Sequence, residues 1–142
     1  MWTLHREAQV ISTRGRGPHE LTEALHGSVR DSGVLRGSVE AFVHHTSASL
    51  TICENADPDV LRDLEAFLAR LVPDGDPLFR HTAEGPDDMP AHVRSVLTTP
   101  SLSIPVEDGR PALGTWQGLF LLEHRTAPHR RRVTFTVIGE RR

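Results

Sequence analysis

The chain of 142 residues contains no lysine, no tyrosine and a single cysteine, Cys53. Without lysine there is no Schiff-base amine, no anchor for pyridoxal phosphate and no P-loop lysine. Without tyrosine there is no tyrosyl acid or nucleophile. A lone cysteine excludes an internal disulfide framework and any multi-cysteine metal site. No apolar run approaches the roughly 20 residues that cross a bilayer, so no membrane partner is expected. The N-terminal Met1-Trp2-Thr3-Leu4-His5-Arg6-Glu7 lacks the basic stretch and apolar core of a secretory signal, and a cytoplasmic location is expected. The length suits one domain, residues 1–142, with one core.

What the chain does have is histidine, nine of them, and arginine as its sole basic residue. Formal net charge is −3, which argues against a nucleic-acid partner. The charge is unevenly spread. Residues 54–88 hold ten acidic residues and three arginines, whereas residues 125–142 hold six arginines and one acid. An acidic middle can hold a cation. A basic tail can face a phosphate or dock on the acidic part.

Hydrophobic spacing predicts an α+β domain with strands at both ends and about three helices between. Residues 2–12 alternate as a strand through Trp2, Leu4, Ala8 and Val10. Leu21, Ala24, Leu25 and Val29 predict a helix over about 19–32, stopped by Gly33. Residues 38–45 read as a strand, and 48–54 as its continuation or hairpin partner. The strongest helix is 58–71: Asp57 is a good N-cap, Pro58 suits the first helical position, and Val60, Leu64, Phe67 and Leu71 form an apolar stripe before Pro73. A long polar loop follows over about 74–87, a length usually tied to function or disorder. A short helix from Asp88 and Pro90 should turn Val93, Val96 and Leu97 inward. Strands are expected at 101–106, 117–124 and 132–138.

Four histidines lie in or beside the acidic middle. His44 and His45 end a strand and point to opposite faces, so at most one serves a given site. His45 opens His-Thr-Ser-Ala-Ser. Glu54-Asn55-Ala56-Asp57 follows, then His81-Thr82-Ala83-Glu84-Gly85, then Asp87-Asp88-Met89-Pro90-Ala91-His92. Imidazole is the commonest side-chain ligand for zinc, and three histidines with one open position form a catalytic zinc site. The spacing matches neither His-Glu-x-x-His nor Cys-x-x-Cys. The competing reading is a set of hydrogen-bonded structural histidines. Ser47 and Ser49 lack the Gly-x-Ser-x-Gly elbow of a nucleophile. Cys53 reads as a small core residue. In Gly114-Thr-Trp-Gln-Gly118, Trp116 offers an aromatic face and Gln117 an amide, against a core tryptophan flanked by a glycine turn. Arg125 and Arg130 to Arg132 suit either phosphate or a protected strand edge.

Several blocks together are more specific: His45-Thr-Ser-Ala-Ser-Leu-Thr, Glu54-Asn-Ala-Asp-Pro-Asp-Val, Leu71-Val-Pro-Asp-Gly, His81-Thr-x-Glu-Gly, Asp88-Met-Pro-Ala-His92 and Leu113-Gly-Thr-Trp-Gln-Gly. On these, over nearly the whole chain, the sequence resembles the YjbQ family of secondary thiamine-phosphate synthase-like proteins. The resemblance implies a mixed β-sheet or sandwich, a homotrimer, and a polar pocket near the subunit interface where a divalent metal is expected. Zinc is expected first, with magnesium or manganese as alternatives. It implies pocket residues His45, Thr46, Ser47, Glu54, Asn55, Asp57, His81, Glu84, Asp88, His92, Trp116 and Gln117, with His124 as a secondary candidate. The expected division of roles has His45, His81 and His92 on the metal and Glu54, Asp88 and Glu84 as catalytic carboxylates. Thr46, Ser47, Asn55, Asp57, Trp116 and Gln117 would bind substrate. The function so implied is metal-dependent chemistry on a phosphorylated small molecule. The alternative is a non-catalytic trimer binding a small anion or metabolite in the same pocket.

Overall fold

The computed structural model describes residues 1–141. Five strands form the larger sheet in the order β1-β8-β3-β5-β6, and three form the smaller in the order β2-β7-β4. The larger sheet contains β1 (Trp2–Ser12), β3 (Arg36–Val43), β5 (Ser101–Glu107), β6 (Arg110–Pro111) and β8 (Arg130–Glu140). The smaller contains β2 (Gly17–Glu20), β4 (Ala48–Glu54) and β7 (Gln117–Glu123). The helices are α1 (Thr22–Ser32), α2 (Pro58–Leu71) and α3 (Asp88–Leu97). This is the α+β class expected, with three helices. Every strand pairing is antiparallel, so two antiparallel sheets stand where a mixed one was expected.

One core joins the layers. Val39, Ala41 and Val43 of β3 meet Val133, Phe135 and Val137 of β8, Leu50 of β4, Leu119 and Leu121 of β7, and Leu25 and Val29 of α1. Alternation along β3 and β8 sends these apolar residues inward and mostly polar ones outward, with Phe42 and Ile138 exposed among them. β1 is different. Its inward-facing residues are half-buried, while Trp2, Leu4 and Val10 are exposed on the other face.

Two helix ends follow sequence chemistry directly. Gly33 takes the left-handed conformation (φ 71°) that closes α1. The Asp57 side chain accepts from Asp59 N at 2.9 Å at the start of α2, with Pro58 behind it. Other expectations need correction. Residues 17–20 are strand, paired with 120–123, so α1 begins at Thr22. β4 is neither a continuation nor a hairpin partner of β3; it pairs with β7 in the other sheet. In α3 the buried residues are Asp88, Pro90, Ala91 and Arg94, whereas Val96 and Leu97 are exposed and Val93 is only half-buried. Arg94 is drawn in by Glu65 at 2.6 Å, which fixes the helix's rotation. The α2 stripe also faces outward: Leu64, Phe67 and Leu71 are exposed, and Leu61, Glu65 and Leu68 are half-buried.

Phe135 is fully buried at the centre of the larger sheet. Phe135→Ala is expected to lower stability by about 3–5 kcal/mol in urea denaturation.

Candidate functional site

Of the residues expected to form a site, the structure brings His81, Asp88 and His92 together. One ligating atom from each lies within 4.8 Å of the other two. Local geometry explains this. Asp88 and His92 are one helical turn apart at the start of α3, so their side chains share a face. The loop before α3 folds back to bring His81 onto the same face. The Nε2 atoms of His81 and His92 both donate to Asp88 Oδ2, at 2.7 and 3.2 Å. The two rings meet edge to face with centroids 5.5 Å apart. Asp88 is buried, while both imidazoles remain accessible.

Arg125, just beyond β7, holds this carboxylate in place. Its Nη1 donates to Asp88 Oδ1 at 2.9 Å, its Nε to Asp87 Oδ2 at 3.0 Å, and its Nη2 to the Glu84 carbonyl at 2.9 Å. Burial alone would raise the Asp88 pKa. The hydrogen bond from His81 and the Arg125 charge outweigh it, and the carboxyl is held below its ordinary value. Asp87 is lowered as well, its burial overcome by Arg125 and by hydrogen bonds from the backbone and hydroxyl of Thr126. The acidic middle thus receives part of the basic tail, the docking that the charge asymmetry suggested.

A second buried polar layer lies nearby. Glu123 is paired with Arg131 through both carboxylate oxygens and also accepts from Thr13 Oγ1 at 2.7 Å. Burial would raise the Glu123 pKa, but Arg131 and Thr13 bring it below normal. His124 shares a 2.7 Å hydrogen bond with Ser49 Oγ, which accepts from Thr98 Oγ1 at 2.6 Å. Burial, aided by Arg94, pushes the His124 pKa down to about 3. His124, the secondary candidate, is 1% exposed, so it supports the site from behind.

His45 stands apart from the three-residue cluster. It lines a pocket of about 400 Å³ together with Thr46 and His92. Its Nε2 accepts the backbone N–H of Arg132 at 2.8 Å. Burial and the Arg131 charge lower its pKa. Thr46 is exposed at the same pocket. Ser47 Oγ accepts from Arg131 Nη2 at 3.0 Å. Glu84 places an exposed carboxylate 3.9 Å from Arg125 Nη1.

The remaining expected residues form a separate group. Glu54 pairs with Gln117 in register, and Asn55 N donates to the Trp116 carbonyl at 3.1 Å. Asp57 N donates to Glu54 Oε2 at 3.1 Å, and Trp116 is exposed. These residues end β4 and begin β7, while His45, Thr46 and Ser47 precede β4. The seven residues of β4 separate the two groups, roughly 20 Å at the rise of a strand. Within one chain they are two sites. Sequence reasoning gave Arg125 as a phosphate or strand-edge arginine of a basic tail, not as the partner of Asp88, and gave Asp87 no role. The carboxylate pair Asp87-Asp88 beside an arginine-rich segment was the available signal.

The fold and the cluster define a small two-sheet α+β protein with two imidazoles and a carboxylate gathered at the start of a helix. Residues 6–140 match the family model described as UPF0047 protein YjbQ-like, and the chain belongs to the YjbQ/UPF0047 family. It is 54% identical over 136 residues to the UPF0047 protein sll1880 of Synechocystis sp., covering 96% of this chain and 92% of that one. It is 40% identical to the UPF0047 protein YjbQ of Escherichia coli O157:H7, covering 99% and 100%. A YjbQ/UPF0047-family protein of Clostridium acetobutylicum superposes with a TM-score of 0.85 at 33% identity, covering 92% and 98%. A YbjQ-like protein of Sulfolobus solfataricus gives a TM-score of 0.89, covering 99% and 100%, and at 22% identity that is a likeness of fold.

The His124 environment sets a pH dependence. Between its folded value near 3 and its unfolded value of about 6.5, the unfolded chain binds a proton that the folded protein refuses. Stability therefore falls as pH drops through this window. Urea denaturation from pH 7 to 4.5 is expected to show this fall in wild type, and a shallower one in His124→Gln.

Proposed function

We propose that the protein is a metal-dependent enzyme acting on a phosphorylated small molecule, with its metal centre at His81, Asp88 and His92. The observation that carries this reading is the gathering of two imidazole nitrogens and one carboxylate oxygen within 4.8 Å. A two-histidine, one-carboxylate donor set with positions left open is a form that catalytic zinc takes, and the imidazole content favours zinc over magnesium. Zinc bound there would polarise phosphoryl oxygens and take up negative charge on a departing pyrophosphate. Asp88 would serve as a ligand, with Arg125 fixing its orientation through Oδ1. The exposed Glu84 is the carboxylate left free to exchange a proton.

Within this reading, the reaction that the family resemblance suggests is thiamine-phosphate synthesis. There the pyrimidine methyl carbon leaves its pyrophosphate and bonds to the thiazole nitrogen, releasing pyrophosphate. Trp116 offers a face for the pyrimidine, and Glu54, Asn55, Asp57 and Gln117 offer polar partners around it. Those residues lie a strand's length from the histidines, so they serve the same pocket through a neighbouring copy. The homotrimer implied by the resemblance would provide one. The uncovered apolar side chains of α2 (Leu64, Phe67, Leu71) and β1 (Trp2, Leu4, Val10) support assembly.

Chelator-treated protein is expected to take up one zinc per chain and to melt at a higher temperature when it does. Asp88→Asn should abolish uptake, and Arg125→Ala should weaken it about 10–100-fold. No uptake by wild type would refute the metal centre. Turnover of the pyrimidine pyrophosphate with the thiazole phosphate is the expected activity. Stabilisation by these compounds without turnover, there or on generic phosphate esters, would favour the non-catalytic binding protein.

A further inference from the structure

A second pocket, of about 550 Å³, opens on the other side of His45, between the end of β3 and β8. Among the described residues, no acidic side chain lines it. Its polar lining consists of His44, His45, Thr46, Ser47 and Arg131. The sequence expectation placed His45 on the metal, and the hydrogen bonds of that residue decide between that role and one in this pocket.

The His44–His45 segment is clipped to Arg132. His44 N donates to the Arg132 carbonyl at 3.1 Å, and Arg132 N donates to His45 Nε2 at 2.8 Å. A ring nitrogen that accepts a backbone N–H carries no proton, and its lone pair is already engaged. The proton of the neutral imidazole then sits on Nδ1, which has no hydrogen-bond partner among the described residues. His45 in this arrangement has a donor to offer and no free lone pair for a cation.

Arg131 adds the second observation. It is 4% exposed and yet lines the pocket. Its Nε and Nη2 are spent on Glu123 and Ser47. Its Nη1 has no partner among the described residues. Ser47 Oγ accepts from Arg131, so its own proton is free to donate elsewhere. The Thr46 hydroxyl is likewise uncommitted among the described residues. The pocket therefore gathers N–H and O–H donors around a guanidinium whose balancing carboxylate, Glu123, is fully buried behind it.

We propose that this pocket is a phosphate subsite, in which His45 is a neutral hydrogen-bond donor and not a metal ligand. Converging donors and a charged fork that presents N–H groups suit a tetrahedral oxyanion. In a chain without lysine, arginine, hydroxyl and imidazole donors are the side chains available for that task. The subsite rests on the reading above only in assigning the phosphate to the substrate; anion binding itself needs no metal.

The test is calorimetric titration of metal-free, full-length protein with inorganic phosphate, and with acetate at the same ionic strength. Wild type is expected to bind phosphate at least about tenfold more tightly than acetate. His45→Ala and Ser47→Ala should each weaken phosphate by about tenfold, the usual loss for a hydrogen bond to a charged group. His81→Ala should leave phosphate affinity unchanged, and His45→Ala should take up zinc as wild type does. The proposal is overturned if phosphate fails to bind, if neither variant weakens it, if acetate binds equally well, or if His45→Ala loses zinc. Absence of zinc uptake by wild type would remove the metal centre and leave the phosphate titration to decide this subsite alone.

Discussion

The site turns on one buried carboxylate. Asp88 is 2% exposed, and a charge so placed is tolerated only when its lone pairs are taken up by partners. Oδ1 is held by Arg125, and Oδ2 faces His81 and His92. Those bonds tie the polar loop and the adjoining first turn of α3 to the connection between β7 and β8, 37 positions away. Arg125 also takes Asp87 and the Glu84 carbonyl, so one guanidinium orders the whole approach to α3. Asp87 precedes α3 yet makes no side-chain cap bond to it; its carboxylate is turned to Arg125 and Thr126 instead.

The smaller sheet sets the scale of everything else. β4 and β7 run antiparallel from the histidine end to the Glu54 and Trp116 end. At the first end lie imidazoles, hydroxyls and arginines; at the second, carboxylates, an amide and an exposed indole. Beneath the first end a polar layer of Glu123, Arg131, His124, Ser49 and Thr98 replaces hydrocarbon. Arg131 of this layer holds Ser47 at the larger pocket, and Arg132 N holds His45, which lines both pockets. Within one chain, β4 keeps the two ends about a strand's length apart.

Much of this was legible in local sequence. Asp57, Pro58 and Pro73 bracket α2, and Gly33 ends α1. Asp88 and His92 stand one turn apart on a helix, so their meeting follows from spacing, and His81 lies close enough in sequence to join them. What local pattern could not give is long-range. The apolar stripe of α2 was read correctly as one face, but periodicity does not say which face the body covers. The rotation of α3 was misjudged because Arg94 is buried against Glu65, a tertiary ion pair that outweighs the apolar preference of Val96 and Leu97. Residues 19 and 20, expected at the start of the helix, are strand, paired with 120 and 121. Arg125 was invisible as an organiser because its partners lie 37 and 38 positions away. His45 is a ligand candidate only through the family resemblance, and the backbone N–H of Arg132 on its Nε2 is a contact that local sequence does not reveal.

The central claim is a metal centre on His81, Asp88 and His92. Its most direct test is an anomalous difference map, at the zinc absorption edge, from crystals of zinc-loaded protein. The account predicts a single strong peak per chain about 2.0–2.2 Å from His81 Nε2, His92 Nε2 and Asp88 Oδ2. No peak at that position, or a peak coordinated by His45 in place of Asp88, would contradict it.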